Sequence, residues 1–160
     1  GFIKGFQPIA GFSYGAGNYD RLKKSIKTSL LWSTGFCVLF GILTAVFSTE
    51  IMSMFTQNDS RLIETGSKAL IANGVTFILF GFNTVFSSLF LAIGKATKGF
   101  ILGACRQGLC FIPIVVFMNF SFGLNGIIYS QPTADVITAI ITAIMAAGLY
   151  KEIFNNHNDL

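Results

Sequence analysis

Asp135 is the one carboxylate that falls inside a long apolar stretch of this 160-residue chain. A carboxylate is expensive in hydrocarbon and ordinarily faces a cavity, a partner or an ion path. Two chemistries suit it. It can take up a coupling ion during transport. Alternatively, lying about one turn from the end of its stretch, it can reach water and cap the start of a helix. The other polar groups at depth are neutral amides: Asn73 and Asn83 in one stretch, Gln107 and Asn119 in the next. Each suits either a hydrogen bond to a neighbouring helix, worth ~0.6–2 kcal/mol, or contact with a bound substrate. Phe77, Phe80 and Phe86 form an aromatic side of the first stretch, and Phe111 and Phe117 a shorter one in the second. Such rings pack in a core or face lipid, and they also attract an organic cation.

Catalysis has little to work with. The single His, His157, lies in a polar tail and is read as solvated; no nucleophile, base and orienting group fall together. Cys37, Cys105 and Cys110 lack metal-ligand spacing and read as small buried hydrophobes. The run Gly11–Gly17 (GFSYGAG) lacks the strand and spacing of a phosphate-binding loop. No catalytic residue, metal or cofactor is therefore expected. The net charge is +4, but the basic residues sit at the ends of apolar stretches, where they meet lipid headgroups rather than nucleic acid.

Composition identifies the elements that carry these residues. Charged residues make up 11% and hydrophobic ones 52%, against roughly 25% charged in an ordinary soluble domain. Mean hydropathy is +0.67. No charge occurs over the 22 residues from Thr28 to Thr49, the 26 from Ala69 to Gly94 or the 28 from Gln107 to Ala134. Roughly 20 apolar residues cross a ~30 Å hydrocarbon core as a helix. The fold expected is an all-α integral membrane protein, a polytopic helical bundle. Its parts are a helix end broken by glycines and Pro8 over 1–17, a polar connector over 18–27, spans at about 28–47, 69–93, 100–120 and 131–150, and a polar tail over 151–160. Pro113, inside the third span, demands a kink or a neighbouring helix to cover the carbonyl it frees. Residues 121–130 read as an uncharged turn. The chain opens at Gly1 within apolar sequence, so earlier spans of the same polypeptide are expected before it.

Successive spans alternate in direction, so the connectors fall on alternating sides. One side holds Arg21, Lys23, Lys24, Lys27, Lys95, Lys98, Arg106 and Lys151; the other holds Arg61 and Lys68. Eight basic residues against two place the first side, including the C-terminus, in the cytoplasm. In this reading Arg106 sits at the cytoplasmic end of its span, anchored to headgroups or paired with a connector acid. The multi-pass chain belongs in the cell inner (plasma) membrane.

Three motifs carry a family resemblance. The first is Gly5-Phe6-Gln7-Pro8-Ile9-Ala10-Gly11-Phe12-Ser13-Tyr14-Gly15-Ala16-Gly17-Asn18, followed by Tyr19-Asp20-Arg21-Leu22-Lys23-Lys24. It resembles the second helix of the C-terminal lobe of multidrug and toxic compound extrusion transporters, with its cytoplasmic connector. Phe100-Ile101-Leu102-Gly103-Ala104-Cys105-Arg106-Gln107-Gly108-Leu109, then Ile112-Pro113, resembles the eleventh helix of the bacterial branch. Phe122-Gly123-Leu124-Asn125-Gly126-Ile127 and Gln131-Pro132-Thr133-Ala134-Asp135 are similar to the turn and start of the twelfth. The resemblance implies part of the C-terminal six-helix lobe of a twelve-helix antiporter. Such a protein exports small cationic or amphipathic drugs in exchange for Na+ or H+, with membrane lipid and the missing N-terminal helices as partners. It implies Gln7 and Pro8 as a distortion in a cavity-facing helix, and Asn73, Phe77, Asn83, Gln107 and Asn119 as cavity contacts. Asp135 is the candidate for ion coupling. Where some family members carry an acid in the tenth helix, this chain has the uncharged run 69–93. Rival readings are a lipid-linked polysaccharide exporter or flippase, whose cavity is more strongly cationic, and a non-transporting structural membrane subunit. A membrane-embedded acyl- or prenyltransferase would need clustered His or Asp residues, which the sequence lacks.

Overall fold

A computed structural model describes residues 2–55 and 60–155, which leaves Gln57 and His157 outside the described residues. Helices account for the described secondary structure: α1 (Phe2–Gly15), α2 (Tyr19–Val46), α3 (Ser48–Phe55), α4 (Ser60–Ala92), α5 (Ala96–Ala104), a π-helical turn (Cys105–Leu109) and α6 (Phe111–Asn155). Three helical runs, Tyr19–Val46, Ser60–Ala92 and Phe111–Ile153, are long and apolar enough to cross a membrane.

The expected break within residues 1–17 is displaced. α1 runs through Pro8, which stands on the exposed side of the helix, and stops at Gly15. Gly17 then adopts φ 67°, while the Asn18 N–H donates to the Ser13 carbonyl at 2.9 Å and closes the helix end. Only glycine takes that conformation cheaply. Asn18 in turn accepts from the Arg21 N–H at 3.0 Å and starts α2. The polar connector 18–27 is no separate unit: it is the first part of α2, with Leu22 and Ile26 buried on its apolar side. The second connector likewise continues into α4.

The third expected span is a composite rod of α5, the π turn and the start of α6. Pro113 needs no kink of its own, because it falls in the first turn of α6, where N–H groups lack intrahelical partners anyway. Just ahead of it the Cys110 N–H reaches the Cys105 carbonyl at 2.9 Å, the wide spacing of a π turn. The expected ten-residue turn over 121–130 contracts to one residue. Gly123 (φ 58°, ψ −135°) is the only non-helical position inside α6. Beyond it the chain folds back: Gly126 abuts the Met118 carbonyl, and Thr133 Oγ1 lies 3.8 Å from Met118 Sδ.

Helix packing relies on glycine. A Cβ at Gly41 would lie 2.5 Å from the Gly74 carbonyl oxygen, and one at Gly74 would lie 2.8 Å from that of Gly41, so α2 and α4 touch backbone to backbone. Gly11 meets the Ala92 carbonyl and Gly99 the Ser87 carbonyl in the same manner, whereas Gly15 touches nothing. Small residues permit such approach in lipid, where no hydrophobic force draws helices together. The core lies among α1, the start of α2, the last turns of α4, and α5. Phe6, Ala10, Leu22, Ile26, Val85, Phe86, Leu89, Phe90 and Leu102 meet there with Ala146, Leu149 and Ile153 of α6. Lys95 pairs with Glu152 at this end. Elsewhere Leu31, Trp32, Phe36 and Phe40 stand exposed, the outward apolar surface of a protein solvated by lipid.

Candidate functional site

Three helical elements converge on one charged cluster. Arg106, on the π turn, donates from Nε to Asp135 Oδ1 of α6 at 3.0 Å. Its guanidinium carbon lies 4.2 Å from the centroid of the Phe80 ring on α4, so the cation is held between a carboxylate and an aromatic face. Asn83, one turn along α4 from Phe80, donates Nδ2 to the Asp135 main-chain carbonyl at 3.5 Å. Asp135 and Asn83 are each 4% exposed, and the Arg106 side chain is 20% exposed. The π turn directs Arg106 inward, since one extra residue in the turn changes the facing of its side chains relative to a regular helix.

This arrangement corrects two expectations. Asp135 does not cap a helix: α6 is helical from Leu124 onward, so Asp135 stands in mid-helix with an ionic partner. The aspartate is shallow only if residues 121–130 form a turn, and they do not. Arg106 is neither a headgroup anchor nor the partner of a connector acid. It lies ten residues beyond Ala96 and Asn83 lies nine before Ala92, so both sit ~15 Å from the turn that joins α4 to α5. Removing Arg106 from the charge count leaves seven basic residues against two, which keeps the same side positive.

Among the expected site residues whose side chains are described, only Asn83 and Asp135 come together. Asn73 bonds back to the Ala69 carbonyl of its own helix at 2.9 Å. Phe77 is exposed and stacks on Phe80 with centroids 5.2 Å apart, while Phe86 instead meets Phe82 in the core at 4.9 Å. Gln7 is half-buried and Pro8 exposed on α1, and Asn119 is exposed on α6. Gln107 belongs to the π turn, but its side chain lies outside the described residues. Cys37 and Cys105 are buried and Cys110 is half-buried. Sequence reasoning missed the partnership of Arg106 with Phe80 and Asp135. The available signal was spacing: Arg106 is the only charge between Lys98 and Asp135, eight residues inside an apolar stretch. The cluster holds the Arg106 cation against a carboxylate and an aromatic face, with the thiol of Cys105 on the same π turn. Among the described residues no group of three or more His, Cys, Asp or Glu could hold a metal ion.

The chain is similar to known proteins over most of its length. The family model MatE matches residues 1–117. The multidrug export protein MepA of Staphylococcus aureus is 28% identical over 148 residues, which cover 91% of this chain and 32% of that protein. The multidrug export protein MepA of Staphylococcus saprophyticus is 26% identical over 148 residues, with the same shares covered. The chain thus spans about a third of the length of the curated relatives it matches. No solved structure matches it.

Proposed function

Because the chain belongs to the MatE family of membrane transporters, we propose that it forms part of the C-terminal lobe of a multidrug efflux antiporter. The complete protein would export small cationic or amphipathic drugs in exchange for Na+ or H+ across the cell inner membrane. The buried Arg106–Asp135 pair carries this reading. Ionisable groups at membrane depth are costly and mark ion or substrate pathways. A purely structural subunit has no need of a carboxylate ~15 Å inside its spans. The flippase reading wants unpaired cationic lining, and the one arginine at this depth is already matched by Asp135. Phe77, Asn119, Gln7 and Pro8 are the cavity candidates left partly or wholly uncovered here, which suits faces that helices of the other lobe approach across a cavity. Asn73, Asn83 and Gln107 would supply polar contacts deeper in the same lobe. A bound cation leaves the cavity when coupling-ion binding shifts the lobe between two packings.

The test is transport by the full-length polypeptide that carries this segment, reconstituted in vesicles. A fluorescent organic cation should move against its gradient when a Na+ or proton gradient is imposed, and stop when the gradient is collapsed. No gradient-dependent movement would refute the proposal. In the same assay Pro8→Ala should fold normally yet export at about half the wild-type rate or less, since a restored hydrogen bond stiffens α1. Wild-type rates at equal expression would remove Pro8 from the mechanism.

Orientation has its own check. In a background without native cysteines, single Cys substitutions at Ser25 and Ala96 should resist impermeant reagents applied outside, and one at Gln57 should react. The reverse pattern would invert the proposed topology, which rests on the basic residues of the α1–α2 and α4–α5 turns.

A further inference from the structure

The cluster of Asn83, Arg106 and Asp135 leaves buried acceptor capacity unused among the described residues. A carboxylate offers about four lone-pair positions, yet among the described residues the Asp135 carboxylate accepts one hydrogen bond, from Arg106 Nε. Among the described residues, Asn83 Oδ1 is buried with no partner. Reversing its amide is no remedy, because Oδ1 would then confront the Asp135 carbonyl that Nδ2 now meets. Thr138 and Thr142 succeed Asp135 on one face of α6 and are fully buried. They spend their hydroxyl protons on the Ala134 and Thr138 carbonyls and so offer no free donor on that face. A buried polar atom without a partner calls for an explanation. Among the described residues, the one fully buried side-chain atom of this site without a partner is an oxygen, which a cation would satisfy.

We infer that Asn83 and Asp135 form a binding site for one small cation, which competes with the Arg106 guanidinium for the Asp135 carboxylate. The ligand is an alkali ion, positive charge delivered to oxygen. It takes the carboxylate and Asn83 oxygens as hard ligands. Arg106 then gives up its Nε bond and retains the face of Phe80. The exchange raises the local charge from zero to +1 and frees the π turn from α6, a two-state device of the kind antiport needs. The other groups facing the site are few. α4 contributes neutral Asn83, the π turn Arg106 with the neighbouring thiol Cys105, and α2 contributes Cys37 behind Gly81, within the field of Arg106.

This inference rests on the transport reading for its purpose, but its measurement is binding. The full-length polypeptide, purified in detergent, is unfolded thermally as NaCl replaces choline chloride at fixed ionic strength and constant pH. A cation bound only by the folded protein raises the midpoint, so the wild type should gain stability with rising Na+. Asp135→Asn should lose that gain. Asn83→Leu keeps the ion pair and should weaken the apparent cation affinity by about tenfold. Arg106→Gln removes the tethered competitor and should strengthen it by about tenfold. Identical responses in the wild type and Asp135→Asn would overturn the site. Should Asp135→Asn fail to fold, an unchanged affinity in Asn83→Leu would overturn it equally. Cation-dependent stability without efflux would sink the transport reading alone; efflux without cation dependence at these residues would sink the site alone.

Discussion

Arg106→Leu should destabilise the full-length protein by roughly 3–5 kcal/mol in Na+-free buffer, because it strands a buried carboxylate. Asp135→Leu should cost less. The Arg106 side chain is longer, 20% exposed, and keeps the Phe80 face when its carboxylate is gone. The double variant Arg106→Leu/Asp135→Leu removes both charges and should recover most of the loss, to within about 1–2 kcal/mol of the wild type. Denaturant unfolding of the four proteins in detergent provides the cycle. A coupling energy under about 0.5 kcal/mol would mean that the two groups do not depend on each other. The recovery also separates stability from mechanism: a restored fold without ion-driven export would show that the pair serves transport rather than folding.

Gly41→Leu should be nearly as damaging for a reason unrelated to charge. Its Cβ would lie 2.5 Å from the Gly74 carbonyl oxygen, and backbone cannot swing aside as a flexible side chain does. α2 must then part from α4, at a cost of about 1–3 kcal/mol or more. Gly35→Leu is the control within the same helix, since a Cβ at Gly35 meets nothing within 4 Å. It should be neutral or slightly stabilising, by up to about 1 kcal/mol, because leucine favours the helix over glycine. Thermal midpoints in detergent and the amount of protein reaching the membrane are the readouts. Equal behaviour of the two variants would mean that α2 and α4 do not cross at Gly41 and Gly74.

Hydropathy makes the helical class legible, because the uncharged runs match what lipid demands of a chain. It cannot locate helix ends. α2 and α4 extend well into their polar connectors, since Arg21, Lys23 and Lys24 are good helix formers that leave the backbone pattern unchanged. The turn between the last two spans is shorter than its residues suggest for the converse reason. Gly123, Asn125 and Gly126 are turn formers by type, but only Gly123 leaves helical geometry. A longer turn hides the site, by placing Asp135 at a helix end and making cap chemistry reasonable for it. Asn83 is visible as a polar group at depth, yet its neighbours are not, because the residue it meets lies 52 positions away. The Gly41–Gly74 contact leaves no motif, as each helix offers a single glycine at the crossing.

The one-residue bend at Gly123 bears on how such a chain enters a bilayer. Arg106 and Asp135 lie 29 positions apart on the two arms of a single helical hairpin, and the bend between them needs no other helix to define it. Contacts so local form early, at little cost in loop closure. The arginine and the aspartate can therefore meet while the hairpin is still being threaded into the membrane, and cross the hydrocarbon boundary as a neutral pair. Neither need wait, charged and alone in lipid, for α4 to supply Phe80 and Asn83. On this order of assembly the hairpin arrives with its charges matched, and docking on α4 adds the aromatic face and the buried amide.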